Sequence, residues 1–316
     1  MLSVVIPVYR NRDGIPDLIA ALGDIALQVR ARHGMEMEAV FVVDGCPEAS
    51  HGELAKLLPS APFPSKLLLH ARNFGSFPAI RTGLAAASGR YFGVIAADLQ
   101  EPPELLLQFL DTLAGGAFDL VVGCRESRDD PFATKVAANT FWGLYKRFVI
   151  PEIPDRGVDV FGCNVAFRDR LLALEEAHSS LIGQIFWLGF RRAEVRYSRR
   201  AREHGKSAWT WRRKLRYLAD SVFSFTDLPI RLLTVFGALG VAVSAVLGVA
   251  VLVARALGMI PVPGYAATAL LVVFFGGLNI LGLGIIGGYA WRAYENTKRR
   301  PLAIVMSAHE FQGESR

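Results

Sequence analysis

The chain has 316 residues and a formal charge of +6, from 35 Lys and Arg against 29 Asp and Glu. Its 52% hydrophobic content and positive mean hydropathy are too apolar for an ordinary soluble enzyme, although the first 230 residues are unremarkable. Cys46, Cys124 and Cys163 are widely separated, so zinc and disulfide frameworks both lack support.

Leu2 to Tyr9 is a β-rich run ended by Arg10-Asn11-Arg12-Asp13-Gly14, and Ile15 to Val29 has helical periodicity. The short apolar run followed at once by charge is not a signal peptide, and the globular part is expected in the cytoplasm. Glu38 to Val43 predicts a second buried strand, closing on Asp44-Gly45-Cys46-Pro47. Such a βαβ opening gathers its loops on the carboxyl edge. Asp44 there either caps the next turn or accepts a hydrogen bond from a nucleotide base. Lys66 to His70 predicts a third strand, followed by Arg72-Asn73-Phe74-Gly75 and a helix from Phe77 to Ala87. Arg72 at a strand end suits a phosphate or carboxylate, or is an ordinary solvated side chain.

The stretch Gly93 to Glu104 organises the rest. An apolar run reading as a buried parallel strand stops at Asp98, and Pro102 and Pro103 sit where a helix would begin. An acid at that edge, followed two residues later by the amide oxygen of Gln100, can hold a hard divalent cation against a diphosphate, or simply mark a capped turn. Asp119 to Cys124 predicts the fifth strand and leads to Arg125. Five strands separated by helices predict a nucleotide-binding doubly wound sheet, while a Gly-x-Gly-x-x-Gly after the first strand and a Walker loop are both missing.

Ala133 to Val149 is helical in pattern and mixes aromatic with basic residues, as a membrane-surface helix or a core helix would. Asp159 enters an apolar strand, where an unpaired carboxylate is costly, and is the candidate general base. Arg191 to Arg216 holds eleven basic residues against Glu194 and Glu203, a local +9. Because this run, with Trp209 and Trp211, precedes an apolar span, anionic lipid head groups are favoured over nucleic acid as its partner. Leu232 to Ala254 and Tyr265 to Trp291 carry no charge and predict two transmembrane helices. Basic residues flank the pair at Arg231 and at Arg292, Lys298, Arg299 and Arg300, which places both ends in the cytoplasm. Gly284 and Gly288 form a Gly-x-x-x-Gly that allows close helix contact or a homo-oligomer interface, and Asn279 is expected to face another helix.

These motifs in this order resemble the membrane-bound family 2 glycosyltransferases that act on polyisoprenyl phosphates, the GtrB-like, ArnC-like and dolichol-phosphate mannose synthase group. The resemblance is carried by Val5-Ile6-Pro7-Val8-Tyr9, Val43-Asp44-Gly45, Arg72-Asn73-Phe74-Gly75, Ala97 through Glu104 and Gly205-Lys206-Ser207. It continues through Leu228-Pro229-Ile230-Arg231-Leu232, Gly284-Ile285-Ile286-Gly287, Tyr294-Glu295 and Arg300-Pro301. It implies an α/β GT-A nucleotide-sugar domain over residues 1–207, a juxtamembrane segment 208–231, spans at 232–254 and 265–291, and a cytoplasmic tail 292–316. It further implies Mg²⁺ or Mn²⁺ on Asp98 and Gln100, and Asp159 as the catalytic acid. The departures are Ala96 where the family commonly has a first acid, Cys46 after Asp44-Gly45, and no acid in Arg10-Asn11-Arg12.

The resulting expectation is an inverting transfer from a nucleotide-sugar, UDP before GDP, to polyprenyl phosphate, undecaprenyl phosphate first among candidates, at the inner membrane. The base would lie near Pro7, Tyr9 and Asp44, the diphosphate near Arg72 and Asp98, and the acceptor phosphate near Arg125, Arg202 and Lys206. The rivals are a catalytically decayed membrane scaffold, supported by Ala96, and a processive polysaccharide synthase, for which Arg213-Lys214-Leu215-Arg216-Tyr217 is a poor match to Gln-x-x-Arg-Trp.

Overall fold

Period-two alternation along the first two strands sets the layers, because successive side chains leave a strand on opposite faces. Val4, Ile6 and Val8 enter one core with Ala39, Phe41 and Val43, while Val5 enters the other with Val40 and Val42. Both faces are therefore covered, and the strands read as unbroken apolar runs.

The computed structural model describes residues 1–47, 49–125, 143, 146–147, 150–154, 158, 160–200, 219–258 and 264–313. In chain order these form β1 (Leu2–Val8), α1 (Ile15–His33), β2 (Met37–Val43), α2 (Ser50–Leu57), β3 (Ser65–His70) and α3 (Ser76–Ala86). Next come β4 (Tyr91–Val94), α4 (Leu105–Ala114), β5 (Leu120–Arg125), β6 (Val160–Asn164), α5 (Val165–Leu172), α6 (Leu181–Trp187) and β7 (Arg192–Tyr197). The long helices α7 (Leu228–Ala256) and α8 (Tyr265–Thr297) follow, and β8 (Val305–Phe311) ends the described chain. All five expected strands are present within two residues of their predicted limits, except that β4 ends at Val94, short of Asp98. Pro103, just before α4, is buried, and Leu105 N bonds Pro102 O at 3.0 Å, a tight turn into that helix.

The sheet has eight strands in the order β7-β5-β6-β4-β1-β2-β3-β8. It is mixed rather than wholly parallel: β6 runs antiparallel to β4 and β5, and β8 antiparallel to β3. β8 lies in the stretch expected as a tail; its strand character is faint because all of its seven residues but Ser307 and Phe311 are exposed. The sequence of β1 paired on one side to β2 and on the other to β4 makes their carboxyl ends a topological switch point, where a crevice opens.

Two polar knots lace the strands, the first of them buried. Glu38, 5% exposed, accepts from Ser3 Oγ at 2.6 Å and Ser88 N at 2.5 Å, and Lys66 bridges from this group to Glu310 of β8 at 3.7 Å. At the other side Asp119 takes Arg191 Nε at 2.9 Å and Asn164 Nδ2 at 2.9 Å, joining the starts of β5 and β7 to the end of β6. The Arg191 hydrogen bond holds the Asp119 carboxyl below its ordinary value against a smaller opposing effect of burial.

α7 and α8 stand away from the sheet, long and apolar enough at Leu228–Ala250 and Phe274–Thr297 to cross a membrane. Both helices overrun the predicted spans, α7 starting at Leu228 and α8 ending at Thr297. Many of their apolar side chains, among them Val235, Phe236, Val246, Val272, Phe274 and Ile280, are more than half exposed. The base of α8 is tied to the sheet domain by Ala177 N, which donates to Asn296 Oδ1 at 3.0 Å, and to the segment before α7 by Arg292, which donates to Asp220 at 2.9 Å, and Tyr289 Oη, which donates to Thr226 O at 3.1 Å.

Asp119→Ala should lower stability at neutral pH by about 0.5–1.5 kcal/mol, the net worth of hydrogen bonds whose exposed Arg191 donors water can partly satisfy. Because the folded carboxyl is depressed, that contribution is full above the unfolded value of about 3.9 and disappears as pH falls through the folded one. Thermal unfolding in detergent at pH 7 and pH 3 checks this; an unchanged deficit at pH 3 would rule out the charge as its source.

Candidate active site

The crevice beyond β1, β2 and β4 is built around Asp44. It follows β2, its own N–H bonding Val8 O at 3.0 Å, and it is 3% exposed. Its Oδ1 accepts from Phe74 N at 2.8 Å and meets His70 Nδ1 at 2.9 Å, while Oδ2 accepts from Gly75 N at 2.7 Å. Asp44 thereby fixes the loop Arg72-Asn73-Phe74-Gly75 that enters α3. Of the two readings left open by the sequence, the structure gives the side chain a turn-holding job, with one lone pair of Oδ2 unspent by these bonds. His70, buried at 1%, passes the chain on to Thr82 Oγ1 at 3.0 Å and meets the Phe74 ring edge-on at 5.6 Å. Sequence reading missed His70; its only signal was a titratable residue closing a buried strand.

The Arg72 guanidinium lies over the Phe74 ring, 4.2 Å from its centre. Arg72 is exposed. Gly45 is required beneath it: its φ is +54°, and a Cβ would lie 2.2 Å from the Arg72 carbonyl carbon and 2.3 Å from Asn73 N. Pro7 and Tyr9 sit half-buried at the carboxyl end of β1, and Arg10, at φ +58°, covers Tyr9 at 5.3 Å. Arg125 ends β5 on the same edge. From Arg72 to Arg125 the edge crosses five strand intervals, about 24 Å, room for an elongated ligand.

Asp98 is half-buried after β4 and accepts from Gln100 N at 3.4 Å. Between them Leu99 takes φ +51°, a left-handed conformation that costs a non-glycine residue about 1–3 kcal/mol and turns the chain sharply. Gln100 is placed differently from the expected metal ligand. Its Oε1 accepts from Arg199 at 2.6 Å, its backbone O takes Arg200 N at 2.8 Å, and Arg199 also approaches the buried Glu101 at 3.5 Å. A cation at Oε1 would face a guanidinium. The donor set actually presented is one carboxylate, and no group of three metal-ligating His, Cys, Asp or Glu side chains occurs among the described residues. That set fits the sparse mode in which Mg²⁺ takes one or two carboxylates and completes its shell with substrate phosphates. Asp159, Arg202 and Lys206 lie outside the described residues, as do Trp209 and Trp211.

Residues 3–174 match the family model for glycosyl transferase family 2, more than half of the chain. The protein belongs to that family. Its mixed sheet is of the GT-A kind, and the chain is a glycosyltransferase. It is 29% identical over 306 residues to an uncharacterised glycosyltransferase of Synechocystis sp., covering 96% of this chain and 94% of the other. It is 27% identical over 309 residues to the bactoprenol glucosyl transferase of Shigella phage SfII, covering 98% of each. Among solved structures it is similar to a mannosyltransferase of Pyrobaculum calidifontis in complex with GDP-Man and Mn²⁺, at 16% identity and TM-score 0.47 over 92% of this chain and 87% of that one.

Gly45→Ala in this glycosyltransferase should lose about 2–4 kcal/mol through its left-handed backbone and its clash with the Arg72 loop. Gly52→Ala, in α2 with nothing within 4 Å of the added carbon, should be neutral or slightly stabilising. Thermal unfolding of both variants makes the comparison; similar midpoints would mean that the two loops separate without cost.

Proposed function

We propose that the protein transfers a sugar from a UDP-sugar to undecaprenyl phosphate, with inversion, on the cytoplasmic face of the inner membrane. The observation that carries this reading is the similarity to bactoprenol glucosyl transferases over 98% of both chains, a match that runs through both the sheet domain and the helix pair of this chain. Support comes also from the exposed apolar side chains of α7 and α8, which suit lipid contact, and from the basic residues at both ends of the pair.

The donor would lie along the carboxyl edge, its base over Pro7 and Tyr9 with a ring N–H to the spare lone pair of Asp44, and its diphosphate between Arg72 and Asp98. Asp98 would hold Mg²⁺ or Mn²⁺ against that diphosphate, with Gln100 joining only when Arg199 releases it. The cation would neutralise charge developing on the leaving group. Arg125, Arg202 and Lys206 would seat the acceptor phosphate so that one of its oxygens attacks the anomeric carbon as the bond from that carbon to the diphosphate oxygen breaks. A phosphate monoester has a second pKa near 6, so the acceptor is largely ionised and Asp159 would chiefly orient it, taking the remaining proton where one is present. The nucleoside diphosphate leaves and the sugar is left on the lipid phosphate with inverted configuration.

The deciding experiment incubates purified protein with UDP-[¹⁴C]glucose, undecaprenyl phosphate and Mg²⁺ or Mn²⁺ and counts label in the lipid extract. Asp98→Ala should reduce that label by about a hundred-fold or more, on the scale of losing one transition-state charge stabiliser, while the protein stays folded. Label at the wild-type level would take Asp98 out of the site; no label from wild type with any nucleotide-sugar would favour a scaffold.

Topology is read separately. A cysteine introduced at Val262 should be labelled from outside intact cells, and one at Lys298 should not. The opposite pattern puts the sugar domain on the wrong side of the membrane for a cytoplasmic donor.

A further inference from the structure

Where the chain leaves α8, Arg299 takes φ +47° and Pro301 follows, turning the backbone toward β3, where Ala71 N bonds Ile304 O at 2.9 Å. This turn closes one side of a cavity of about 490 Å³, lined by Arg81, Glu175, Asn296, Arg299 and Arg300 among others. Three arginines and one acid, Glu175, thus line it, with Glu176 also close enough to act on Arg81. Arg81 is already spent. Buried at 8% exposure, it donates to the carbonyls of Leu171, Leu172 and Leu174 at 2.5–3.0 Å and to Gln184 Oε1 at 3.1 Å, so it adds positive potential rather than contacts.

Arg299 and Arg300 are different. Both are exposed, and among the described residues no hydrogen bond or ion pair ties either guanidinium, while Arg300 stands close enough to Glu295 to act on its carboxyl. Glu175 lines the same cavity and, with Glu176, acts on Arg81 rather than pairing with Arg299 or Arg300. Glu295 is taken by Lys298, and Glu176 receives Gln184 Nε2 at 3.3 Å. Asn296 has given its oxygen to Ala177 N, which leaves its NH₂ as a donor. Planar forks beside a buried positive charge, with an amide donor at hand, match the oxygens of a phosphate group.

We propose that this cavity is a phosphate-binding site separate from the sugar-transfer crevice, taking the phosphate of an anionic lipid or of a soluble ester. The site itself stands on these side chains; only the lipid source rests on the reading that α8 crosses the membrane, since its end would then lie at head-group level. A phosphate bound here neutralises the Arg cluster and fastens the end of α8 to the domain that carries α3 and the Asp44-held loop.

The test uses the full chain in phosphatidylcholine nanodiscs, with phosphatidylglycerol added in one arm and inorganic phosphate in the other. Ligand that binds only the folded state raises the unfolding midpoint, here by about 3 °C at saturating levels. That rise should be lost in the double variant Arg299→Gln, Arg300→Gln and kept in Arg231→Gln, whose charge lies at the other helix and pairs with Asp227 at 2.8 Å. A response to phosphatidylglycerol alone assigns a lipid source, and one to phosphate assigns a soluble source; either supports the site. Equal responses from wild type and the double variant, an equal loss in Arg231→Gln, or no response in either arm overturns it. A chain that stays out of the discs yet responds to phosphate through Arg299 and Arg300 refutes the membrane reading and leaves the site standing.

Discussion

The geometry of the crevice depends on one buried carboxylate. Removing Asp44 from water carries a penalty of several kcal/mol for an ionised group, and that penalty is offset only if its oxygens find donors. They find two backbone N–H groups and an imidazole, drawn from a loop some thirty residues further along the chain. The pairing works in both directions, because Phe74 N and Gly75 N would otherwise be orphan donors at the entrance of α3. Loop, strand end and helix start therefore hold or fail together. Gly45 permits the approach by having no side chain, and Arg72 is delivered to the crevice by the same loop. A contact that looks structural is thus what aims the exposed guanidinium.

A second constraint sets where the helix pair stands. β8 leaves α8 by a short turn and adds to the sheet beside β3, so the last helix is held at its end by backbone pairing as well as by Asn296 and Arg292. Strand pairing has a fixed register, and a slip of one residue would reverse every side chain of β8. The end of α8 is accordingly fixed relative to β3, with no long linker to absorb movement. On the proposed reading this determines the height of the crevice above the membrane, and with it how far the acceptor phosphate must rise to reach the anomeric carbon.

Much of this was legible in the sequence, and for a definite reason. β1 to β5 are buried on both faces, and burial on both faces forces the unbroken apolar runs that identified them. The two strands that make the sheet mixed are less explicit. β6 follows a stretch where Asp159 interrupts the apolar pattern, and β8 is an edge strand whose residues are mostly exposed, so no apolar face was imposed on it. The helix pair was plain because membrane-length apolar stretches require no partner to be seen. The Asp44 network was half legible: its place after a strand was clear, but its donors come from a separate segment of chain.

Gln100 shows where such reading stops. Two residues after Asp98 and in a turn, it has the spacing of a second cation ligand, and spacing is all that a local motif can report. The side chain's direction is decided by Arg199, ninety-nine residues away, which competes for the same oxygen at 2.6 Å. Arg199 and Arg200 also lie just before Arg202 and Lys206, the residues expected to seat the acceptor. The loop that would hold the donor's diphosphate and the segment that would hold the acceptor therefore share a hydrogen-bonded seam. Any ligand that draws Gln100 toward Asp98 must release Arg199, and a released guanidinium beside two anionic substrates has phosphate oxygens to replace the amide it gave up.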